Sequence, residues 1–211
     1  MKTLLKRLAM LLAGLVVAHL GVSLFLLADL GADPFNVLVQ GLYRTLSAVP
    51  GMGFLTHGRT HIAVNLLIIL VLLLTDRSYI RLGTVICMAC GGPIIDFFTA
   101  LLAPLFAIQP GLALRLLVNC LGCVILAFGM TAVISSDAGA GPNDLVALVI
   151  SEKRGWKFGL VRAAVDLSFV LGGFLLGGSV GLGTVICAFL VGPVAGFFMP
   201  LNRRIARRIL G

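Results

Sequence analysis

The sequence predicts an all-α polytopic membrane protein of two homologous tandem repeats, residues 1–106 and 107–211. It has six long transmembrane helices and two short ones, half-spanning or re-entrant, so that the spans number six or, if the short pieces cross, eight. Three observations carry this reading. Of 211 residues, 60% are hydrophobic and 11% are charged, against roughly 25% charged in a soluble domain. The apolar runs have helical length, and the ~10-residue segments of alternating polarity that build a membrane β-barrel are missing. Finally, blocks of sequence recur in the same order. With a mean hydropathy of +1.14, the composition excludes a soluble enzyme, a nucleic-acid binder and a disordered chain.

The net charge of +8 gathers beside the apolar spans. Lys2, Lys6 and Arg7 open the chain, Lys153, Arg154 and Lys157 lie between spans, and Arg203, Arg204, Arg207 and Arg208 close it. Such flanking clusters are what the positive-inside bias produces, and they put both termini in the cytoplasm. The stretch from Leu8 to Leu27 is too long for a signal-peptide core and is a retained first span. The five cysteines lie within apolar spans and make no secreted disulfide framework.

The repeat is visible in two blocks. Leu82-Gly83-Thr84-Val85-Ile86-Cys87 recurs as Leu182-Gly183-Thr184-Val185-Ile186-Cys187, and 10 of the 17 positions from Leu82 to Phe98 are identical 100 residues later. Upstream, Asp29-Leu30-Gly31-Ala32-Asp33-Pro34-Phe35-Asn36 matches Asp137-Ala138-Gly139-Ala140-Gly141-Pro142-Asn143-Asp144 in the pattern D-x-G-A-x-P-x-[ND]. Each half reads as a long helix, a Gly-Ala-x-Pro break, a short helix and two long helices. The long segments are expected near 8–28, 59–75, 79–105, 111–136, 158–177 and 179–200. Short helices begin at Pro34 and Pro142, because proline suits a first helical turn, where its missing N–H is not needed; Asp33 is the expected N-cap of the first. Six spans make three per half and inverted repeats, eight make parallel repeats. The sixteen basic residues divide 13 to 3 across the membrane for six spans and 14 to 2 for eight, so charge scarcely decides. The shortness of the two middle helices favours six.

Leu30-Gly31-Ala32-Asp33-Pro34-Phe35-Asn36-Val37-Leu38, with the later Gly83-Thr84 and Gly183-Thr184, resembles the YczE/YyaS/YitT group of bacterial membrane proteins over nearly the whole chain. Members of that group carry tryptophan and aspartate after the first proline, where this chain has Phe35 and Asn36. A first-half carboxylate role at Asn36 therefore does not carry over. The resemblance implies a multi-pass protein of the bacterial cytoplasmic membrane. Some members are associated with export of, or resistance to, amphipathic antibiotics, others with secondary-metabolite production.

The two breaks, Asp29, Gly31, Pro34 and Asp137, Gly139, Pro142, are the first functional candidates. A broken helix exposes free N–H groups and a positive dipole end that can meet an anion, and unwound carbonyls can hold a cation. The bland reading is an ordinary turn with Asp29 and Asp137 as caps. The second set is polar: Asn36 and Asp144 early in the short helices, His61 and Asn65, Arg162 and Asp166 within long ones, and Asp96, replaced by Gly196 in the second half. An ionisable group at the bilayer centre costs ~2.5–3.5 kcal/mol on insertion scales, so a paired or functional role is the default. The i,i+4 spacing puts Arg162 and Asp166 on one helix face, as it does His61 and Asn65. Asp144 and Asp166 are the candidate proton carriers, and Arg162 the candidate anion contact.

Cys87–Cys90 and Cys120–Cys123 have C-x-x-C spacing, but buried packing is the stronger reading. His19 reads as a satisfied buried histidine and Trp156 as an interfacial anchor. The small faces around Gly83, Cys87, Gly91, Gly183 and Cys187 predict that the third and last long helices pack centrally. Serine residues lack a base at recognisable spacing, so no enzyme, cofactor or metal is expected. The expectation is a small secondary transporter, an exporter of small amphipathic molecules, with proton coupling as an option. Its partners would be the bilayer, a small-molecule substrate, protons and, as an option, a second copy of itself. The alternative is a non-transporting accessory or scaffold protein.

Overall fold

The computed structural model describes residues 2–31, 33–52, 54–55, 57–107 and 111–210, without the side chains of residues 2, 57–59 and 96. Eight α-helices follow in order: α1 Lys2–Ala28, α2 Pro34–Ser47, α3 His57–Asp76, α4 Leu82–Leu102, α5 Leu112–Ser135, α6 Pro142–Arg154, α7 Phe158–Leu175 and α8 Leu182–Leu210. Short 3₁₀ turns, Arg77–Tyr79 and Ala103–Phe106, flank α4. Six helices, all but α2 and α6, are long and apolar enough to cross a membrane.

The centre of the bundle is the antiparallel contact of α1 with α5. Hydrophobicity does not drive helices together within lipid, so close backbone approach must supply the packing. Four glycines allow it. A Cβ placed on Gly14 would lie 2.8 Å from Val133 N, and one on Gly21 would lie 2.4 Å from Leu126 N. From the other side, Gly129 and Gly122 would meet Ala18 N at 2.2 Å and Gly21 O at 2.8 Å. Leu11, Leu15, Phe25, Ala127, Met130 and Val133 fill the surrounding core. α8 packs along α5 and α7, and α4 along α1.

Both termini lie at one end of the bundle, where Lys6 Nζ donates to Ile209 O at 2.9 Å. The short helices start inside the bundle and each returns to the end it came from. α1 finishes at the far end, and the chain turns through Asp29 in the left-handed conformation (φ 49°). Leu30 O then accepts from Gly183 N, the start of α8, at 2.8 Å. Gly31 follows at φ 125°, where a Cβ would lie 2.6 Å from Thr184 Oγ1. Pro34 begins α2 under Asp33, whose carboxylate accepts from Asn36 N, as expected of the N-cap. At its other end α2 is back at the far end of the bundle, with Arg44 Nη1 donating to Gly177 O at 2.6 Å and Thr45 Oγ1 to Leu176 O at 2.9 Å.

The second half repeats this at the terminal end. Asp137 has φ 57° and Gly139 φ 138°, and Ala138 O accepts from Gly83 N, the start of α4, at 2.8 Å. α6 closes on Gly155 in the left-handed region. Its last turn is tied to α8 by Arg203–Glu152 at 3.7 Å and to the end of α3 by Lys153–Asp76 at 3.2 Å. α2 and α6 therefore enter and leave the bundle at the same end, and among the described residues six helices are long and apolar enough to span a membrane.

Two sequence expectations change. α8 does not stop at residue 200 but runs through Pro200 to Leu210. Its last turns dock on α5, where buried Asn202 donates to Thr131 Oγ1 at 2.7 Å and to Phe128 O at 3.0 Å. And α4, the third long helix, is peripheral rather than central; apart from the face on α1 it is largely exposed. Glycines in α1 and α5, not those in α4, set the closest helix approach. α4 and α5 are not packed neighbours, so Cys123 lies against Cys187 rather than Cys90.

Replacing Gly21 with leucine should force α1 and α5 apart. Overpacking of this kind costs about 1–3 kcal/mol or more, read as a lowered thermal midpoint in detergent, whereas Gly92→Ala, with open space around it, should leave the midpoint unchanged. Cysteines introduced at Ser47 and at Gly155 should react with a membrane-impermeant maleimide from opposite faces of a vesicle. Labelling of both from one face would contradict the six-span topology.

Candidate functional site

The two re-entrant helices bring their N-termini to one cavity of about 350 Å³ near mid-depth, and every helix of the bundle contributes to its wall. Asp33, Pro34, Phe35 and Asn36 line it from α2; Gly141, Pro142, Asn143 and Asp144 line it from α6. Most of the sequence candidates converge here: Asn36, His61, Asn65, Asp144 and Arg162 all face the cavity, and Asp166 stands directly behind Arg162. Asp96 lies on α4, with its side chain outside the described residues. Asp29, Gly31, Asp137 and Gly139 are not in the cavity wall; they form the turns that lead to it.

Arg162 organises the polar floor. Its Nε donates to Asp166 Oδ2 at 2.9 Å, one turn along α7, and its Nη1 to Asp144 Oδ1 at 2.5 Å on α6. The side chains of Asp166 and Arg162 are 1% and 8% exposed, and that of Asp144 is 18% exposed towards the cavity. The second oxygen of Asp166 has no hydrogen-bond partner among the described residues. The i,i+4 pair is thus not self-contained: the guanidinium is shared between a carboxylate of its own helix and one of the re-entrant helix.

On the first-half side the groups are neutral or capped. Asn36 Nδ2 donates to Asp33 Oδ2 at 2.6 Å. Asn65 Nδ2 donates to His61 O and to His61 Nδ1, each at 3.1 Å. Phe35 meets the His61 ring edge-on at 5.3 Å. His19, read from sequence as a satisfied buried histidine, has Nδ1 donating to Leu15 O at 2.7 Å and also lines the cavity. Because a carbonyl only accepts, Nδ1 carries the proton and Nε2 is the acceptor in the neutral ring. Sequence reasoning took Asp33 only for a cap and passed over Asn143. Their places at the starts of the short helices, Asp33 as N-cap and Asn143 in the first turn, were the available signal.

Each re-entrant turn is also fastened to the other half. At the terminal end Asp137 pairs with Arg7 at 2.9 Å and with Arg81. At the far end Asp29 pairs with Arg115 at 3.3 Å, and Arg115 Nε donates to Ala28 O at 2.7 Å. Arg7 and Arg115 stand 108 residues apart, as do Asp29 and Asp137, so the two latches correspond. Left-handed backbone at an aspartate is sparsely populated, and partly exposed pairs like these are worth about 0–1 kcal/mol each.

Six long apolar helices, with two short helices whose N-termini meet at one cavity, define a polytopic membrane protein. The chain belongs to the family of unknown function DUF6198, which matches residues 5–200, and with it to the YczE/YyaS group. It is 31% identical over 202 residues to the "Uncharacterized membrane protein YczE" of Bacillus subtilis (strain 168), covering 93% of this chain and 89% of that protein. An "Uncharacterized protein" of Haemophilus influenzae (strain ATCC 51907 / DSM 11121 / KW20 / Rd) is 30% identical over 95% of this chain and 86% of its own length. The "Uncharacterized protein YyaS" of Bacillus subtilis (strain 168) is 24% identical over 90% and 91%. No solved structure matches.

Removing only the guanidinium should strand the buried Asp166 and the half-buried Asp144. Arg162→Met is expected to cost about 3–5 kcal/mol. Adding Asp144→Leu and Asp166→Leu to it should recover most of that loss in the thermal midpoint. A triple variant less stable than Arg162→Met would show that the three side chains do not act as one network.

Proposed function

We propose that the protein is a small secondary transporter whose substrate binds in the central cavity, with both termini in the cytoplasm. The observation that carries this is the meeting of two re-entrant helix N-termini, one from each half, at a cavity holding the Arg162–Asp144–Asp166 network. Internal halves with interrupted helices, and a polar site where they meet near the midplane, are the common ground plan of secondary carriers. Charged groups kept there despite their insertion cost fit a substrate or proton path.

The latches give the halves a means of moving. Each re-entrant turn is held to the opposite half at its own end of the bundle, by contacts weak enough to break in a transport cycle. Opening the Asp137 latch would expose the cavity at the terminal end, and opening the Asp29 latch would expose it at the far end. In this reading Asp144 and Asp166 would exchange a proton as access alternates, with Arg162 fixing their geometry. A small amphipathic molecule is the substrate class that the resemblance to YczE and YyaS suggests.

Thermal unfolding of the purified protein against a chemically varied panel, at two pH values, tests this. A ligand present at 100 times its Kd stabilises the folded state by about 2.7 kcal/mol. A dose-dependent rise in midpoint is expected for one chemical class, and it should disappear in Asp144→Asn and in Asp166→Asn. A panel without any shift would count against a carrier and favour the accessory reading, which partner capture from intact membranes would then pursue.

A further inference from the structure

The two halves differ at one seam. In the second half α7 and α8 close on each other: a Cβ on Gly192 would lie 2.5 Å from Gly159 O and 2.8 Å from Ala163 Cβ. In the first half α3 and α4 barely touch. Gly92, which stands 100 residues before Gly192, has nothing within 4 Å of where its Cβ would be. Ile62 on α3 and Met88 on α4 line the cavity and are 55% and 40% exposed. Ile62 lies ~7 Å from the far-end start of α3, and Gly92 ~15 Å from the terminal-end start of α4, by 1.5 Å rise per residue. On helices about 30 Å long, Gly92 is midway and Ile62 nearer the far end, so the gap runs from mid-depth towards the far end on the side of the bundle.

The charge around the cavity is also unbalanced. Among the described side chains, Asp33 and Asp144 line it and Asp166 is bonded to Arg162 behind it, three carboxylates to one guanidinium. Counting the N-terminal ends of α2 and α6 as about half a positive charge each still leaves about one negative charge in excess while His19 and His61 are neutral. We infer that the cavity takes a cationic amphipath from the lipid phase through the α3–α4 seam, its charged group beside Asp144 and its apolar body along Ile62, Met88 and Gly92. This rests on the reading of the cavity as a transport site and gives that site a substrate class and an entrance.

The test compares tetraphenylphosphonium with tetraphenylborate, which has the same shape and the opposite charge, and with tetramethylammonium, which has the charge without the apolar body. Binding to the full-length protein in lipid nanodiscs is measured against empty discs. Tetraphenylphosphonium should bind saturably, at least tenfold more tightly than either comparator, and at least tenfold less tightly to Asp144→Asn. Gly92→Trp, which fills the seam, should weaken or slow that binding at least tenfold, while Gly92→Ala stays within twofold; Ile62→Trp serves as a second plug if Gly92→Trp does not fold. Equal or tighter binding of tetraphenylborate overturns the charge assignment. Phosphonium binding that depends on Asp144 but ignores both plugs overturns the lateral entrance and leaves the central site standing. No Asp144-dependent phosphonium binding overturns the inference as a whole, and the ligand panel then decides separately whether the cavity binds anything else.

Discussion

A backbone that enters a membrane and turns back must find partners for its peptide groups within the protein, because lipid supplies none. Much of this structure follows from how that demand is met. The carbonyls of Leu30 and Ala138, exposed where the chain leaves α1 and α5, are taken up by the free N–H groups of Gly183 and Gly83 at the starts of α8 and α4. One contact thus answers two needs, since the first N–H groups of any helix lack an internal partner. Gly31 and Gly139 let the turn press against Thr184 and Thr84 in a conformation closed to other residues. Held this way, α2 and α6 can aim their N-termini at one cavity.

The halves share this scheme and diverge around it. Where Leu11 packs against Gly83, Asn119 stands against Gly183, buried and with neither amide atom hydrogen-bonded among the described residues. Asn36 and Asp144 occupy matching turns, one capping into Asp33 and the other bound to Arg162. α2 is clamped on α7, where a Cβ on Gly41 would lie 2.3 Å from Gly173 O, while α6 meets α3 more loosely. Within the second half α7 and α8 close on each other, and the first half carries the open seam.

What the sequence made legible depended on range. The class of protein, the six long helices, the proline-led starts of α2 and α6, the Asp33 cap and the Arg162–Asp166 pair all follow from periodicity or from spacings within one turn. The third member of the network does not: Asp144 reaches Arg162 from another helix, and no local spacing announces it. The same holds for Arg7 with Asp137 and Arg115 with Asp29. The misplacement of α4 has a different cause. A helix face turned to lipid and one turned to protein are both apolar, so composition alone cannot tell an outer helix from a central one, and small residues proved an ambiguous guide. α8 continued past Pro200 because Asn202 had a buried partner on α5, a contact no pattern in residues 200–210 reveals.

The pairing of each turn with the other half bears on how the chain is made. Leu30 emerges from the ribosome early, but its partner Gly183 belongs to the last helix. At roughly 5–20 residues per second, about 8–30 s of synthesis separate the two. During that interval the first re-entrant loop has an unsatisfied carbonyl and cannot settle at its final depth. Ala138 has no such wait, because Gly83 is already in place when it arrives. The second half is therefore assembled onto a first half that is itself unfinished, and a nascent chain stalled before α8 would present its insertion machinery and proteases with an incompletely buried loop.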